Sequence, residues 1–172
     1  MAAVQKITPF LWFDTEAEEA AKYYVSIFKN SKLGKIARYG EAGQETHKRP
    51  VGSVLMVDFT LEGQRFLALN GGPDFKFNEA ISLFIACKDQ AEIDYYWDKL
   101  GQGGDPSRQM CGWLKDKYGV SWQVATEGIE QLVGDPNDPG SQRAMEAMMQ
   151  MKKIDIGRLE EAKAGVGVGA RG

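Results

Sequence analysis

The sequence predicts an α+β fold made of two similar halves. An amphipathic helix pattern occurs once in each half, directly after a short apolar run that is typical of a strand. Alternating apolar and polar residues then indicate two or three further strands in each half. The order of strand, helix and strands therefore occurs twice, although few residues are identical between the two copies.

In the first half, Ile7 to Phe13 is the predicted first strand, and Pro9 suits a strand start or an edge. Thr15-Glu-Ala-Glu18 is a capping-box pattern, with Asp14 as a competing cap. An apolar stripe at helical spacing follows from Ala17 to Phe28. Further strands are predicted at Leu33 to Tyr39, Ser53 to Leu61 and Arg65 to Asn70, with a turn at Glu62-Gly63.

The second half repeats this order in a shorter form. A strand is predicted at Ile81 to Cys87, and Asp89-Gln-Ala-Glu92 repeats the capping signal for a helix that ends near Gly101. Residues Gly103 to Met110 are rich in Gly, Pro and Ser, and no strand is predicted there. Strands follow at Cys111 to Lys115 and Val120 to Ala125, separated by a turn at Lys117-Tyr-Gly119.

The chain beyond Glu127 has a different character. Asp135 to Gly140 contains several helix breakers, and Ser141 is the predicted cap of a helix with an apolar, methionine-rich band. Because flexible thioethers fill irregular gaps, this helix is expected to pack on the sheet or on a second subunit. A second helix is predicted at Asp155 to Ala162, and the Gly-rich segment Ala164 to Gly172 is predicted to be disordered.

Composition excludes several classes of protein. A chain of 172 residues suffices for one domain with a core, and no apolar run approaches the roughly 20 residues that span a membrane. The net charge of −3, with dispersed Lys and Arg, does not suit nucleic acid. Two cysteines make no disulfide framework, and the N-terminus lacks a signal-peptide core, so a cytoplasmic location is expected.

Residues suited to catalysis are scarce. The single histidine, His47, lies in a polar stretch from Gly43 to Pro50 that is predicted to be a solvated loop, which argues against histidine-centred mechanisms. Asp58 and Glu79 are the better candidates for a general base. Cys111 is expected to be a buried, inert thiol because no histidine lies near it in sequence.

Several polar and aromatic residues have both a structural and a functional interpretation. Gln123 alternates with Trp122 on a predicted strand, so it faces either water or a cavity. Asn70 precedes Gly-Gly-Pro and either begins a turn or presents its amide to a ligand. Phe77 either fills the core or stacks on a ligand. The tryptophans on predicted strands, which are Trp12, Trp113 and Trp122, are core residues or line a site for a flat or apolar molecule.

The sequence resembles the vicinal oxygen chelate superfamily, which includes glyoxalase I, extradiol dioxygenases and bleomycin-resistance proteins, and is most similar to its PhnB-like branch, often labelled 3-demethylubiquinone 3-methyltransferase-like. Four stretches carry the resemblance: TPFLWFDTEAEEAAKYY, LALNGGPDFKFNEAISLFI, CGWLKDKYGVSWQV and MMQMKKIDI. The resemblance implies paired βαβββ modules, about 6–72 and 79–127, that curl into an open cup in one domain of residues 1–162. A C-terminal helical extension (141–162) and a flexible tail (163–172) follow.

Metal-dependent members hold an ion with histidines and glutamates on the cup wall. The equivalent places here are near Ile7 or Thr8, near Leu69 or Asn70, between Glu79 and Ser82, and at Gln123. These places offer one glutamate, Glu79, two amides and aliphatic side chains, whereas catalytic zinc normally takes three nitrogen, sulfur or carboxylate ligands and amides are weak ligands for transition metals. The sequence therefore predicts a cup without metal or other cofactor, in which Gln123 hydrogen-bonds a ligand.

Three functions remain open. The first is binding of a small molecule, with or without catalysis, and the second is a metal-dependent glyoxalase-type isomerase or lyase. The third is a sequestering protein of the bleomycin-resistance type. A homodimer is implied by the resemblance. A methyltransferase is not supported, because the sequence lacks the glycine-rich loop that such an enzyme has after its first strand. The predicted ligand-binding residues are Trp12, Asn70, Phe77, Glu79, Trp113, Trp122 and Gln123.

Overall fold

The computed structural model describes residues 5–166. The chain divides into two compact units, the first ending at Phe77 and the second beginning at Asn78. This boundary lies between residue 72, where the first predicted module ends, and residue 79, where the second predicted module begins. Each unit combines helices with an open sheet, so the predicted α+β class is confirmed. Of the tail predicted to be disordered, residues 167–172 lie outside the described residues.

The first unit contains a four-stranded sheet with strand order β1-β4-β3-β2. Strand β1 runs parallel to β4, whereas β4 with β3 and β3 with β2 are antiparallel pairs. The elements are β1 (Phe10–Phe13), α1 (Ala17–Ile27), β2 (Lys32–Arg38), α2 (Gln44–His47), β3 (Val54–Leu61) and β4 (Gln64–Asn70).

The core of this unit lies between α1 and one side of the sheet. The apolar stripe of α1 is buried as predicted, and Tyr24 at its centre packs on Phe59 of β3 with ring centroids 6.4 Å apart. Phe59 stacks in turn on Phe66 at 5.5 Å. Alternation along the strands buries every second residue on this side, namely Val57, Phe59, Leu61, Phe66 and Ala68.

Three local predictions for the first unit are wrong. The N-cap of α1 is Glu16 and makes no side-chain capping bond, so the capping box at Thr15 does not form. The stretch from Gly43 to Pro50 contains the short helix α2 rather than only a loop. The first strand begins at Phe10, three residues later than predicted. The turn at Glu62-Gly63 is confirmed, and both residues have positive φ, 46° and 79°.

The second unit contains a three-stranded sheet with strand order β5-β7-β6. The central strand β7 is parallel to β5 and antiparallel to β6. The elements are β5 (Leu83–Cys87), α3 (Gln90–Gly101), β6 (Trp113–Lys115), β7 (Ser121–Thr126), α4 (Ile129–Val133), α5 (Pro139–Met149) and α6 (Ile156–Ala164). Residues Pro106–Arg108 form a 3₁₀ turn, where no strand was predicted.

Helix α3 begins as its sequence predicts. Asp89 accepts a hydrogen bond from the Glu92 amide at 2.9 Å, and the Glu92 side chain reaches back to the Lys88 amide at 3.1 Å. The following strand is shorter than predicted and starts at Trp113. The reason is backbone conformation: Cys111 and Gly112 have φ of 50° and 82°, which an extended strand cannot contain.

The C-terminal extension packs on the rest of the second unit. Asp138, not Ser141, caps α5 by accepting hydrogen bonds from the amides of Gly140 and Ser141. Between α5 and α6 the chain runs beside the start of the β6 segment. There the amides of Cys111 and Gly112 donate to the carbonyls of Met151 and Lys152 at 2.8 and 2.7 Å. Helix α4 was not predicted.

Helices in the described part of the chain are all too short or too polar to cross a bilayer.

Candidate ligand-binding face

The strand register of the second unit places Gln123 between two aromatic side chains. Gln123 lies opposite Phe84 of β5 and opposite Trp113 of β6. Residues directly opposite one another in neighbouring strands project from the same side of a sheet. Phe84, Gln123 and Trp113 therefore form a row across all three strands. Phe84 is 49% exposed, and the other two side chains are half-buried.

A second, polar row runs beside the aromatic one. Ser121 is two residues before Gln123, so it belongs to the same side of β7, and it lies opposite Lys115 of β6. Ser82 immediately precedes Leu83, the partner of Trp122, and thus extends the row on β5. We call these six residues the Gln123 face: Phe84, Gln123, Trp113, Ser82, Ser121 and Lys115.

The Gln123 amide has a fixed orientation on this face. Its Nε2 donates a hydrogen bond to Ser82 Oγ at 2.7 Å. Its Oε1 accepts none from the residues that the structure describes, 5–166. The amide oxygen is therefore a preoriented acceptor, on a residue that lies between Phe84 and Trp113 in the sheet.

Trp122 lies on the opposite side of β7 from Gln123. It is 2% exposed, and its Nε1 donates to Asp116 Oδ2 at 2.8 Å. The other oxygen of Asp116 accepts from the amides of Tyr118 and Val120 at 2.8 and 3.0 Å. Trp122 is therefore part of the core, and the buried Asp116, which sequence reasoning missed, organises the turn before β7.

Glu79 is engaged in an ion pair beside the Gln123 face. Its Oε1 lies 3.2 Å from Lys115 Nζ and 3.7 Å from Arg108 Nη1. The hydrogen bond from Lys115 lowers the pKa of the Glu79 carboxyl below its usual value. A general base near neutral pH needs a raised carboxyl pKa, so this environment does not suit Glu79 to that role.

In the first unit, Trp12 lies on the side of the sheet away from α1. It is opposite Leu69, which is in turn opposite Met56, so the three share one apolar surface. The indole Nε1 donates to the Gly72 carbonyl at 2.8 Å, and Phe75 meets the ring edge-on at 4.9 Å. Gly71 packs flat against the indole, because a Cβ there would lie 2.2 Å from a ring carbon.

Asn70 projects from the other side of the same sheet, and its amide is fully used within the fold. Oδ1 accepts from the Ala17 amide at 2.8 Å, and Nδ2 donates to the Val54 carbonyl at 3.1 Å. Phe77, another predicted ligand-binding residue, meets Phe13 edge-on with centroids 5.1 Å apart. Phe13 and Asn70 lie opposite one another, on the other side of the sheet from Trp12. Because Phe77 packs on Phe13, neither Asn70 nor Phe77 shares a surface with Trp12.

The helix side of the first unit also contains a cleft of about 490 Å³. Three of its charged residues are already paired: Glu18 with Lys22 at 2.6 Å, and Arg49 with Asp14, beside the cleft, at 3.0 Å. The cleft is lined by Thr15, Glu18, Glu19, Lys22, Arg49, Pro50, Ser53, Val54 and Asn70.

The remaining candidates for a base or a ligand serve structural contacts. Asp58 is held by Arg65, whose Nε and Nη2 both donate to the carboxylate at 2.8 to 3.1 Å. His47 accepts at Nδ1 from the Arg49 amide and packs on Tyr39 with centroids 4.5 Å apart. Cys111 is half-buried, with its sulfur 3.8 Å from Met149 Sδ.

A transition-metal site does not fit the donors available. Within residues 5–166 no three His, Cys, Asp or Glu side chains converge. At the places where metal-dependent relatives carry ligands, Leu69 is aliphatic, the Asn70 amide is used within the fold and Glu79 is paired with Lys115. Amides are poor ligands for these ions, so no chemistry is assigned to a metal here.

Four residues of the Gln123 face are not among the ligand-binding residues predicted from the sequence: Ser82, Phe84, Ser121 and Lys115. Alternation identified the side of β7 to which Gln123 belongs. The neighbours of Gln123 depend on the registers of β5 and β6 against β7, which a single strand does not encode.

Comparison with known proteins identifies the family. The family described as 3-demethylubiquinone-9 3-methyltransferase matches residues 5–125. A PhnB protein from Bacillus cereus, described as a 3-demethylubiquinone-9 3-methyltransferase, is 39% identical, with a TM-score of 0.62, over 71% of this chain and 99% of that one. The chain belongs to this family. It lies in the PhnB-like branch of the vicinal oxygen chelate superfamily, as the sequence predicted.

More distant structures share the fold of the 3-demethylubiquinone-9 3-methyltransferase family. Protein PA1353 from Pseudomonas aeruginosa is 19% identical, with a TM-score of 0.55, over 72% of this chain and 98% of that one. The fosfomycin resistance protein FosX from Mesorhizobium loti is 10% identical, with a TM-score of 0.50, over 78% and 99%. No curated protein matches the sequence. The family match ends at residue 125, so α4, α5 and α6 lie beyond it.

Proposed function

We propose that this protein binds a small, flat organic molecule on the Gln123 face without the participation of a metal ion. The observation that carries this proposal is the geometry of the Gln123 amide. Its nitrogen is held by Ser82, which leaves its oxygen as an acceptor, and the residue itself lies between Phe84 and Trp113 in the sheet. Flat apolar bodies bind well against aromatic side chains, and one oriented polar group then supplies specificity.

Substitution of Gln123 tests this function. We expect Gln123→Ala to weaken binding of the flat probe p-cresol by about tenfold while the melting temperature changes little, because one hydrogen bond to a ligand is lost on a half-buried site. Binding is measured on the full chain from NMR shifts of the Gln123 side-chain amide and of the Trp113 indole. The Gln123→Ala variant lacks this side-chain amide, so its binding is measured from the NMR signal of the Trp113 indole alone.

Two results would count against the proposal. If p-cresol moves neither signal in the unsubstituted protein, the Gln123 face is not a site for flat molecules. If Gln123→Ala lowers the melting temperature and leaves p-cresol affinity intact, Gln123 is structural. Ser26→Ala, which changes a hydroxyl on the exposed surface of α1 in the other unit, is the control for nonspecific effects.

The metal-dependent isomerase or lyase is the alternative reaction class. The ion pair of Glu79 with Lys115 disfavours it, because a ligand carboxylate would have to leave its cation. Elemental analysis of the purified protein decides between the two: a stoichiometric zinc, nickel, iron or manganese ion supports the alternative. Turnover of α-dicarbonyl adducts would support it further.

The methyltransferase activity named in the family description finds no support in the fold. A conventional S-adenosylmethionine enzyme uses a doubly wound parallel sheet with a glycine-rich loop after its first strand. The two sheets described here each have one parallel pair and otherwise antiparallel neighbours, and no glycine lies between β1 and α1. We therefore propose a binding protein, with the reaction unassigned.

We also propose a cytoplasmic homodimer. Both cysteines are free, which suits a reducing compartment. Met110 and Met149 are 57% and 54% exposed, and such apolar side chains suit burial by a second copy. Light scattering measures the mass in solution, and a monomer at micromolar concentration would contradict the dimer. A monomer would also count against a sequestering function of the bleomycin-resistance type, because the cleft in that mechanism is formed by a dimer interface.

A further inference from the structure

The Ser121 hydroxyl on the Gln123 face is buried without a hydrogen-bond partner. Ser121 is 2% exposed, and among the described side chains its Oγ is the buried polar atom that lacks a partner. Unsatisfied buried hydroxyls are rare in folded proteins, and each requires an explanation such as a water molecule or a ligand. The position of Ser121, two residues from Gln123 on the same side of β7, favours a ligand.

The neighbouring strand contributes a lysine to this part of the face. Lys115 is directly opposite Ser121, and its side chain is 22% exposed. Its Nζ is 3.2 Å from Glu79 Oε1, while the Glu79 side chain is 45% exposed and also meets Arg108. Lys115 is thus paired with a carboxylate that solvent reaches easily. A carboxylate of a bound molecule can exchange with Glu79 at little cost, because exposed ion pairs contribute little stability.

The spacing along β7 sets the length of the ligand. Ser121 and Gln123 are two residues apart, so their Cα atoms are separated by about 6.5 Å. A molecule that satisfies both residues needs an acceptor for Ser121 and Lys115 at one end and a donor for Gln123 Oε1 at the other. A molecule of this length therefore reaches from the polar row to Gln123, where Phe84 and Trp113 flank it.

We infer that the ligand is a flat aromatic acid whose carboxylate binds Lys115 and Ser121 and whose opposite edge donates a hydrogen bond to Gln123. This inference rests on the proposed function and adds the chemical class of the ligand. The role of Glu79 follows from it: Glu79 occupies the carboxylate position until the ligand arrives, so it competes with the ligand.

Three probes separate the parts of this inference. They are 4-hydroxybenzoate, which has both polar ends, benzoate, which lacks the donor, and p-cresol, which lacks the carboxylate. We expect 4-hydroxybenzoate to bind the full chain at least about tenfold more tightly than p-cresol, because its carboxylate makes charge-assisted hydrogen bonds. It should also bind more tightly than benzoate, because its hydroxyl donates to Gln123 Oε1. Affinities are measured by NMR titration.

Substitutions then assign each contact. We expect Lys115→Met to weaken 4-hydroxybenzoate about tenfold and to leave p-cresol unchanged. Glu79→Gln should strengthen 4-hydroxybenzoate, because the competing carboxylate is removed. Ser121→Ala should weaken 4-hydroxybenzoate without lowering the melting temperature, since it removes an unsatisfied buried group. Lys152→Met, at an exposed lysine of the same unit, is the matched control.

The outcomes distinguish this inference from the proposed function. If p-cresol shifts the Gln123 amide but 4-hydroxybenzoate binds no better, or if Glu79→Gln and Lys115→Met change nothing, the aromatic acid is wrong and the flat-molecule site stands. If Ser121→Ala lowers the melting temperature and leaves binding intact, Ser121 is structural. If none of the probes shifts Gln123, Phe84 or Trp113, both proposals fail.

Discussion

Asn70 at the end of β4 caps the helix that begins at Ala17. Its Oδ1 accepts the Ala17 amide at 2.8 Å, 53 residues away in sequence. The first amides of a helix have no partner within it, and a side chain near the N-terminus usually supplies one. Here the sheet supplies it, while Asn70 Nδ2 also donates to the Val54 carbonyl at 3.1 Å.

We expect Asn70→Ala to lower the free energy of unfolding by about 1–3 kcal/mol, because one cap and one buried donor are lost. Asn70→Asp keeps the acceptor for Ala17 but removes the donor to Val54, so it should also destabilise the protein. Urea unfolding followed by circular dichroism measures both. Asn78→Ala, at an exposed asparagine, is the control and should be near neutral. Unchanged stability of Asn70→Ala together with lost ligand binding would instead support its predicted role in binding.

The buried carboxylate of Asp116 should be important for stability. It is 3% exposed and accepts hydrogen bonds from Trp122 Nε1 and from the amides of Tyr118 and Val120. Asp116→Ala leaves these donors unpaired, and we expect a loss of about 3 kcal/mol or more in the free energy of unfolding. Trp122→Phe removes a single donor and should cost less than Asp116→Ala. Equal stability of Asp116→Ala and the unsubstituted protein in thermal denaturation would contradict this account of the turn.

Gln90 should hold the C-terminal extension on the second unit. Its Nε2 donates to the Ile154 carbonyl at 3.0 Å, and its Oε1 accepts from the Ile156 amide at 2.9 Å. We expect Gln90→Ala to increase hydrogen exchange in 139–164 by about tenfold or more, with less effect on β3 and β4. Gln102→Ala, at an exposed position after α3, is the matched control. Uniform acceleration across both units would mean that the effect is global.

The two cysteines should differ in reactivity. Burial raises the pKa of the Cys87 thiol to about 12, and the nearby Glu92 and Asp89 carboxylates act in the same direction. Because the thiolate is the nucleophile, iodoacetamide at pH 8 should modify Cys111 well before Cys87, as measured by peptide mass spectrometry. Rapid modification of Cys87 in the folded protein would contradict its burial.

The same pKa shift has a consequence for alkaline stability. The folded-state pKa of Cys87 lies above the usual value for a thiol, so folding favours the protonated form. The contribution of Cys87 to the free energy of unfolding is complete below about pH 8.5 and is lost as the pH rises toward the folded-state pKa. Cys87→Ala should therefore flatten the decline of stability above this pH, as measured by urea unfolding at several pH values.

The sequence by itself determined most of the elements, their repeated order and the family, although it missed the short helices α2 and α4. Periodicity sufficed for the buried stripe of α1 and for the side of β7 that carries Gln123, since both follow from the spacing of side chains in a single element. The cap of α3 was also predictable, because Asp89 and Glu92 lie within one turn of each other. These features depend on neighbours in the chain.

Only the tertiary structure decided which residues meet across elements. Asn70 caps α1 from 53 positions away, and Glu79 pairs with Lys115 from 36 positions away. The row of Phe84, Gln123 and Trp113 depends on the registers of three strands. Register and ion pairing result from the packing of whole elements against one another, and the local pattern of one element does not encode them. For that reason the sequence identified Gln123 but not the polar row beside it.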